Sequence, residues 1–206
     1  MMRELNRALA DILEIRSQIA AGTAFRGYGP TTVALTGAIG IATATMQSLW
    51  PDLFSYNAQA YIICWLAVGG ICAAAIRLEM QGRSRRLHSD LADTLISQAV
   101  GQFFPAAIAS VFLPLFLLRF APQSLWMMPG LWQLLVSLGI FASIRNLPRK
   151  MTLGAAWYFV SGFACLLLAS KSHNLSPWLM GVPFLLGQLL MAAMLFLSSE
   201  ARHEKD

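Results

Sequence analysis

Residues 152–170 read TLGAAWYFVSGFACLLLAS, a stretch without a single charge that is set between Lys150 and Lys171. At 1.5 Å per residue a helix of this length crosses the roughly 30 Å hydrocarbon core of a bilayer. A charge at the bilayer centre costs on the order of 3 kcal/mol on insertion scales, so a run with none is the mark of a span. The run lacks the period-two alternation of a barrel strand, and in lipid every backbone amide needs an internal partner, which leaves an α-helix.

Five more runs of this kind occur, between Arg26 and Asp52, Asp52 and Arg77, Asp93 and Arg119, Arg119 and Arg145, and Lys171 and Glu200. The whole chain agrees with them: 57% of its 206 residues are hydrophobic and only 12% are charged, which is wrong for a soluble domain of this length. The expected fold is an all-α integral membrane protein with six transmembrane helices, near 31–50, 57–77, 99–118, 126–145, 152–170 and 177–198, arranged as three hairpins. The transmembrane domain as a whole is taken as 31–198.

Lys and Arg are distributed unevenly about these spans. Thirteen of the fifteen fall before the first span or after the second, fourth and sixth; Arg119 and Lys171 alone fall on the other side. By the positive-inside rule both termini are expected in the cytoplasm of a cell whose plasma membrane holds the protein, most simply a bacterial inner membrane. This asymmetry accounts for the formal charge of +5, so no nucleic-acid partner is implied.

Two segments on the arginine-rich side are expected to be amphipathic cytoplasmic helices. In residues 1–22, Leu5, Leu9, Ile12 and Ile19 share a helical face, while Arg3, Glu4, Arg7, Asp11, Glu14 and Gln18 lie largely elsewhere. The balanced charge favours packing on protein, either the chain's own cytoplasmic loops, a partner or a second copy, over gripping anionic lipid. Residues 23–30 form a Gly/Pro linker, and 199–206 a short tail. The second segment, 79–97, carries Arg83, Arg85 and Arg86, a cluster suited to phosphates of the inner leaflet.

Chemistry-bearing groups are sparse. All ten acids lie outside the expected spans or at their ends, and His88, His173 and His203 are not placed to face one another as haem ligands would. No HExxH, zinc-ligand spacing, GxSxG or nucleotide loop occurs, so no catalytic residue, metal or cofactor is expected. Cys64, Cys72 and Cys165 sit inside spans as small apolar side chains.

Uncharged polar residues remain. Counted from the ends of the spans opposite the arginine-rich side, Thr43, Cys64, Ser110, Gln133, Ser161 and Gln188 fall at comparable depths and suggest a common polar layer. Such a layer serves either as hydrogen-bonding glue between helices or as a pocket for a small neutral ligand. Close helix approach is expected along Ala34, Ala38 and Ala42 and along Gly69–Ala73 and Gly70–Ala74, with kinks at Pro105, Pro114 and Pro183 whose freed carbonyls need partners.

The letters QSLW occur at 47–50 and 123–126, each at a span end away from the arginine-rich side, where Trp178 also falls. Tryptophan favours that boundary because its ring is apolar while its N–H reaches water. The repeat reads either as internal duplication or as interfacial anchoring alone. In size and helix number the chain is similar to the membrane substrate-binding subunits of vitamin importers, a likeness of architecture that carries no motif. The function expected from these residues is that of a non-catalytic membrane accessory protein, the alternative being a binding or transport protein for a small uncharged or lipophilic molecule.

Overall fold

The computed structural model describes residues 29–54, 57–87, 90–144 and 151–203, and for 83–87, 90–96 and 198–203 the backbone alone. The N-terminal segment 1–22 and the side chains of Arg83, Arg85 and Arg86 therefore lie outside the described residues. The elements are α1 (Pro30–Leu49), the short α2 (Pro51–Phe54), α3 (Ala58–Leu87), α4 (Asp90–Phe120), a 3-10 turn (Pro122–Met127), α5 (Met128–Ser143), α6 (Met151–Ser172) and α7 (Pro177–His203). No strand occurs among the described residues.

Six helices are long and apolar enough to cross a membrane, and the chain is a multi-pass membrane protein: the spans are Pro30–Leu49, Ala58–Gly82, Ser97–Phe120, Pro122–Ser143, Met151–Ser172 and Pro177–Leu197. Pro30 at the first turn of α1 and Pro177 at the first turn of α7 start those helices where a missing N–H costs nothing. The ends differ from the expected ones most in α3 and α4. Arg77 and Glu79 do not stop α3, which runs on to Leu87, and α4 begins at Asp90, so the segment 79–97 is divided between the ends of two long helices. Both carry about 30 residues, or roughly 45 Å of helix, well beyond the hydrocarbon thickness.

Each span touches its sequence neighbours, and the first closes on the last, giving an unbroken cycle of contacts. The two most extensive contacts, α1 with α7 and α5 with α6, join helices from different expected hairpins. Small residues explain both. A Cβ on Gly130 would stand 2.7 Å from the Gly162 carbonyl oxygen and one on Gly162 3.0 Å from that of Gly130, so α5 and α6 cross backbone to backbone. On α1 the close approach runs along Gly37, Gly40 and Ala44, which meet Gln188, Phe184 and Gly181 of α7. This replaces the expected alanine stripe: Ala38 and Ala42 are exposed, and the face turned to α7 is the one that carries Gly37, Gly40 and Ala44.

The other expected stripe also behaves differently. Gly69 and Gly70 of α3 have nothing within 4 Å of an added Cβ, and Ala73 and Ala74 are exposed, so this face packs on no helix among the described residues. The interior has two apolar clusters. One joins Ala44, Tyr61, Ile62, Trp65, Leu125, Met128, Trp132 and Met180 towards the tryptophan-bearing end. The other joins Ile140, Ala155 and Tyr158 with Phe103, Trp157 and Met191 towards the opposite end.

Candidate functional site: a polar network on α5

One turn into α5, Gln133 is 1% exposed and meets protein on every side. Its Nε2 donates to the Leu179 carbonyl at 2.9 Å, with the Pro129 carbonyl at 3.2 Å and Cys165 Sγ at 3.3 Å also in reach. Its Oε1 accepts from Ser161 Oγ at 2.6 Å. Cys165 Sγ donates in turn to the Leu179 carbonyl at 3.1 Å. One amide thus ties α5 to both α6 and α7.

The Leu179 carbonyl is open to these donors for a covalent reason. Its helical partner would be the N–H four residues on, at Pro183, which has none. The same rule operates on α4, where Pro114 leaves the Ser110 carbonyl without a backbone donor, and Trp132 Nε1 of α5 fills the place at 2.8 Å. Two proline-freed carbonyls are therefore closed by side chains of one helix. Further along α5, Ser137 Oγ donates to the Ala155 carbonyl of α6 at 2.7 Å and Ser143 Oγ to the Ala99 carbonyl of α4 at 3.0 Å. Around Pro183, Trp157 Nε1 donates to the Pro183 carbonyl at 3.0 Å and the Tyr158 hydroxyl to that of Phe184 at 3.2 Å.

Of the expected layer, only Gln133 and Ser161 are brought together. Thr43 and Ser110 turn their hydroxyls back to their own helices, onto the Ile39 and Ala106 carbonyls, and Cys64 is half-buried on α3. Gln188 lies nine residues beyond Leu179, or roughly 13 Å along α7, so it stands at a different depth from Gln133. Its Cβ packs against Gly37, and its Oε1 is buried without a hydrogen-bond partner. The layer divides because equal counts from the ends of the spans do not give equal depth: Gln133 meets Leu179, only two residues into α7, while Gln188 lies further along that helix.

Sequence reasoning passed over Gln47, Ser137, Ser143 and Tyr158. The first three are polar residues on interior helix faces, and the spacing of Gln133, Ser137 and Ser143 on one face of α5 was the available signal. Gln47 was absorbed into QSLW, and the two copies are not equivalent. Gln47 is fully buried and accepts from Trp65 Nε1 at 2.9 Å, while Gln123 is exposed in the 3-10 turn. Trp178 donates to Ser48 Oγ at 3.3 Å and Trp126 stacks edge-on against His173 at 4.8 Å, so these tryptophans hold neighbouring segments together.

Gln47 Nε2, like Gln188 Oε1, has no hydrogen-bond partner. A buried polar atom left in this way costs about 1–3 kcal/mol. The α5 network is built of uncharged side chains, and its hydrogen bonds join α5 to α4, α6 and α7. Among the described residues no three His, Cys, Asp or Glu side chains gather as a metal site. Comparison of the chain with protein-family models, with curated proteins and with solved structures gave no match.

Proposed function

We propose that the chain is a non-catalytic multi-pass membrane protein that acts by associating with another membrane protein, as an accessory or assembly subunit. The observation that carries this reading is the outward face of α3. Gly69 and Gly70 have nothing near them, in contrast to Gly130 and Gly162, whose lack of a side chain lets two backbones cross. Glycine in a membrane helix is useful where another backbone comes close, and the open pair supplies that on the side away from the bundle.

The same reading takes the six spans as three hairpins, places both termini and the Arg83–Arg86 cluster on the cytoplasmic side of a bacterial inner membrane, and gives residues 1–22 a share in recruitment. Purification in mild detergent tests it. Wild-type protein is expected to bring down a membrane partner in constant ratio, and Gly69→Leu with Gly70→Leu, or removal of residues 1–22, to release it. A protein that runs alone in all forms would sink the proposal.

A second reading, a binding protein for a small uncharged molecule, is favoured by the two buried amide atoms without partners, Gln47 Nε2 and Gln188 Oε1. Gln133 gives it no support, since its hydrogen-bonding atoms are taken up within the protein.

A further inference from the structure

We propose that Gln47 Nε2 and the Tyr61 hydroxyl form a binding site, at the tryptophan-bearing end of the bundle, for an uncharged molecule that presents a carbonyl oxygen. Gln47 and Tyr61 are both 0% exposed. The orientation of the Gln47 amide is set by Trp65, whose indole N–H donates to Oε1 at 2.9 Å and could not donate to the amide nitrogen. Nε2 therefore points the other way, where it has no partner. The thiol of Cys64 lies beside this amide and is a weak acceptor at best.

The Tyr61 hydroxyl is the second donor. Among the described residues its acceptor is the Ser176 carbonyl, 3.4 Å away, beyond the usual 2.5–3.0 Å of an O–H···O bond. Trp65 lies against the same hydroxyl, its ring 6.3 Å from that of Tyr61, so one indole holds both donors in a single neighbourhood. Ala44, Ile62, Leu125, Met128 and Met180 belong to the surrounding apolar cluster. Two polar donors among apolar side chains supply the kind of polar anchors that small-molecule sites use, and the unbranched methionines can repack to admit a guest.

The chemistry of the guest follows from the donors. It must accept hydrogen bonds, and a neutral molecule suits it, because both donors are themselves uncharged and supply no charge to offset an anion's desolvation. Gln47 is two residues from the end of α1 and Tyr61 three from the start of α3, which puts the pair near the membrane boundary. A carbonyl can reach that depth from the acyl ester of a lipid or from a free solute. This goes beyond the accessory role, which rests on the outward face of α3.

The test uses the full chain in nanodiscs, with thermal unfolding followed by tryptophan fluorescence. One arm compares ester-linked phosphatidylcholine with its ether-linked analogue of equal chain length, which lacks the carbonyl. The other titrates N,N-dimethylacetamide. A midpoint about 3 °C lower in ether lipid identifies a lipid guest, and a saturable rise of about 3 °C with dimethylacetamide a solute. Either response is expected to vanish in Gln47→Leu, to shrink in Tyr61→Phe, and to persist in Ser110→Ala; Gln47→Met replaces the leucine variant if that one does not fold. A wild type indifferent to both arms, or a Gln47 variant responding as the wild type does, overturns the proposal.

Discussion

The spans of α4 and α5 are neighbours in sequence and in space, yet half of the residues in the α5 window are buried inside the protein and 11% of those in the α4 window. The α4 span is the more hydropathic of the two. In a soluble protein the greasier helix would be the buried one. Lipid reverses the rule, because a leucine gains little by leaving acyl chains for protein, whereas Gln133, Ser137 and Ser143 gain partners that lipid cannot provide. Gln133, Ser137 and Ser143 thus lie on the inside of α5, and Phe104, Phe112, Phe116 and Phe120 on the outside of α4.

The sharpest way to break that contrast is at the crossing of α5 with α6. Gly162→Leu drives a side chain into the Gly130 carbonyl and Leu134, and the expected result is a loss of at least about 3 kcal/mol, read as failure to recover monodisperse protein. Next is Gln133→Leu, which keeps volume but leaves the Ser161 hydroxyl without its amide partner and removes a donor from the Leu179 carbonyl. A loss of about 2 kcal/mol is expected in steric-trapping or denaturant unfolding.

That value has a built-in check. Pro183→Ala restores the helical donor to the Leu179 carbonyl, so the cost of Gln133→Leu should fall to about 1 kcal/mol in that background; strict additivity would mean that the proline-freed carbonyl is not what the amide serves. Trp132→Phe removes the donor to the Ser110 carbonyl and should cost about 1 kcal/mol, with Pro114→Ala compensating in the same way. At the small end, Gly70→Leu on the open face of α3 should change the stability of the isolated protein by less than about 0.5 kcal/mol. A large loss there would show that the α3 face is already occupied within the fold.

The spans were legible because the exclusion of charge from hydrocarbon is strong and acts on each residue separately. Helix ends on the arginine side were not, since Arg77 and Glu79 bound the oily run without ending the hydrogen-bond ladder of α3. The need of Pro114 and Pro183 for carbonyl caps was readable, but not the identity of the caps, because Trp132 and Cys165 are distant in sequence from the carbonyls they serve. Small-residue spacing was ambiguous for a related reason: Gly37 and Gly40 face α7 while Gly69 and Gly70 face away, and only the partner distinguishes them. Gln47 was hidden inside a tetrapeptide whose tryptophan suggested an anchor, although the amide three positions earlier turns inward.

The closure of α1 on α7 bears on how the molecule is made. The glycine-lined surface of α1 is complete once Leu49 has left the ribosome, but its mate does not begin until Pro177. At ordinary elongation rates the wait is on the order of ten seconds. Throughout it, the notch around Gly37 and Gly40 stands without Phe184, Leu185 and Gln188, which fill it in the finished fold. A chain that ends between α1 and α7 would carry that notch without the helix that fills it.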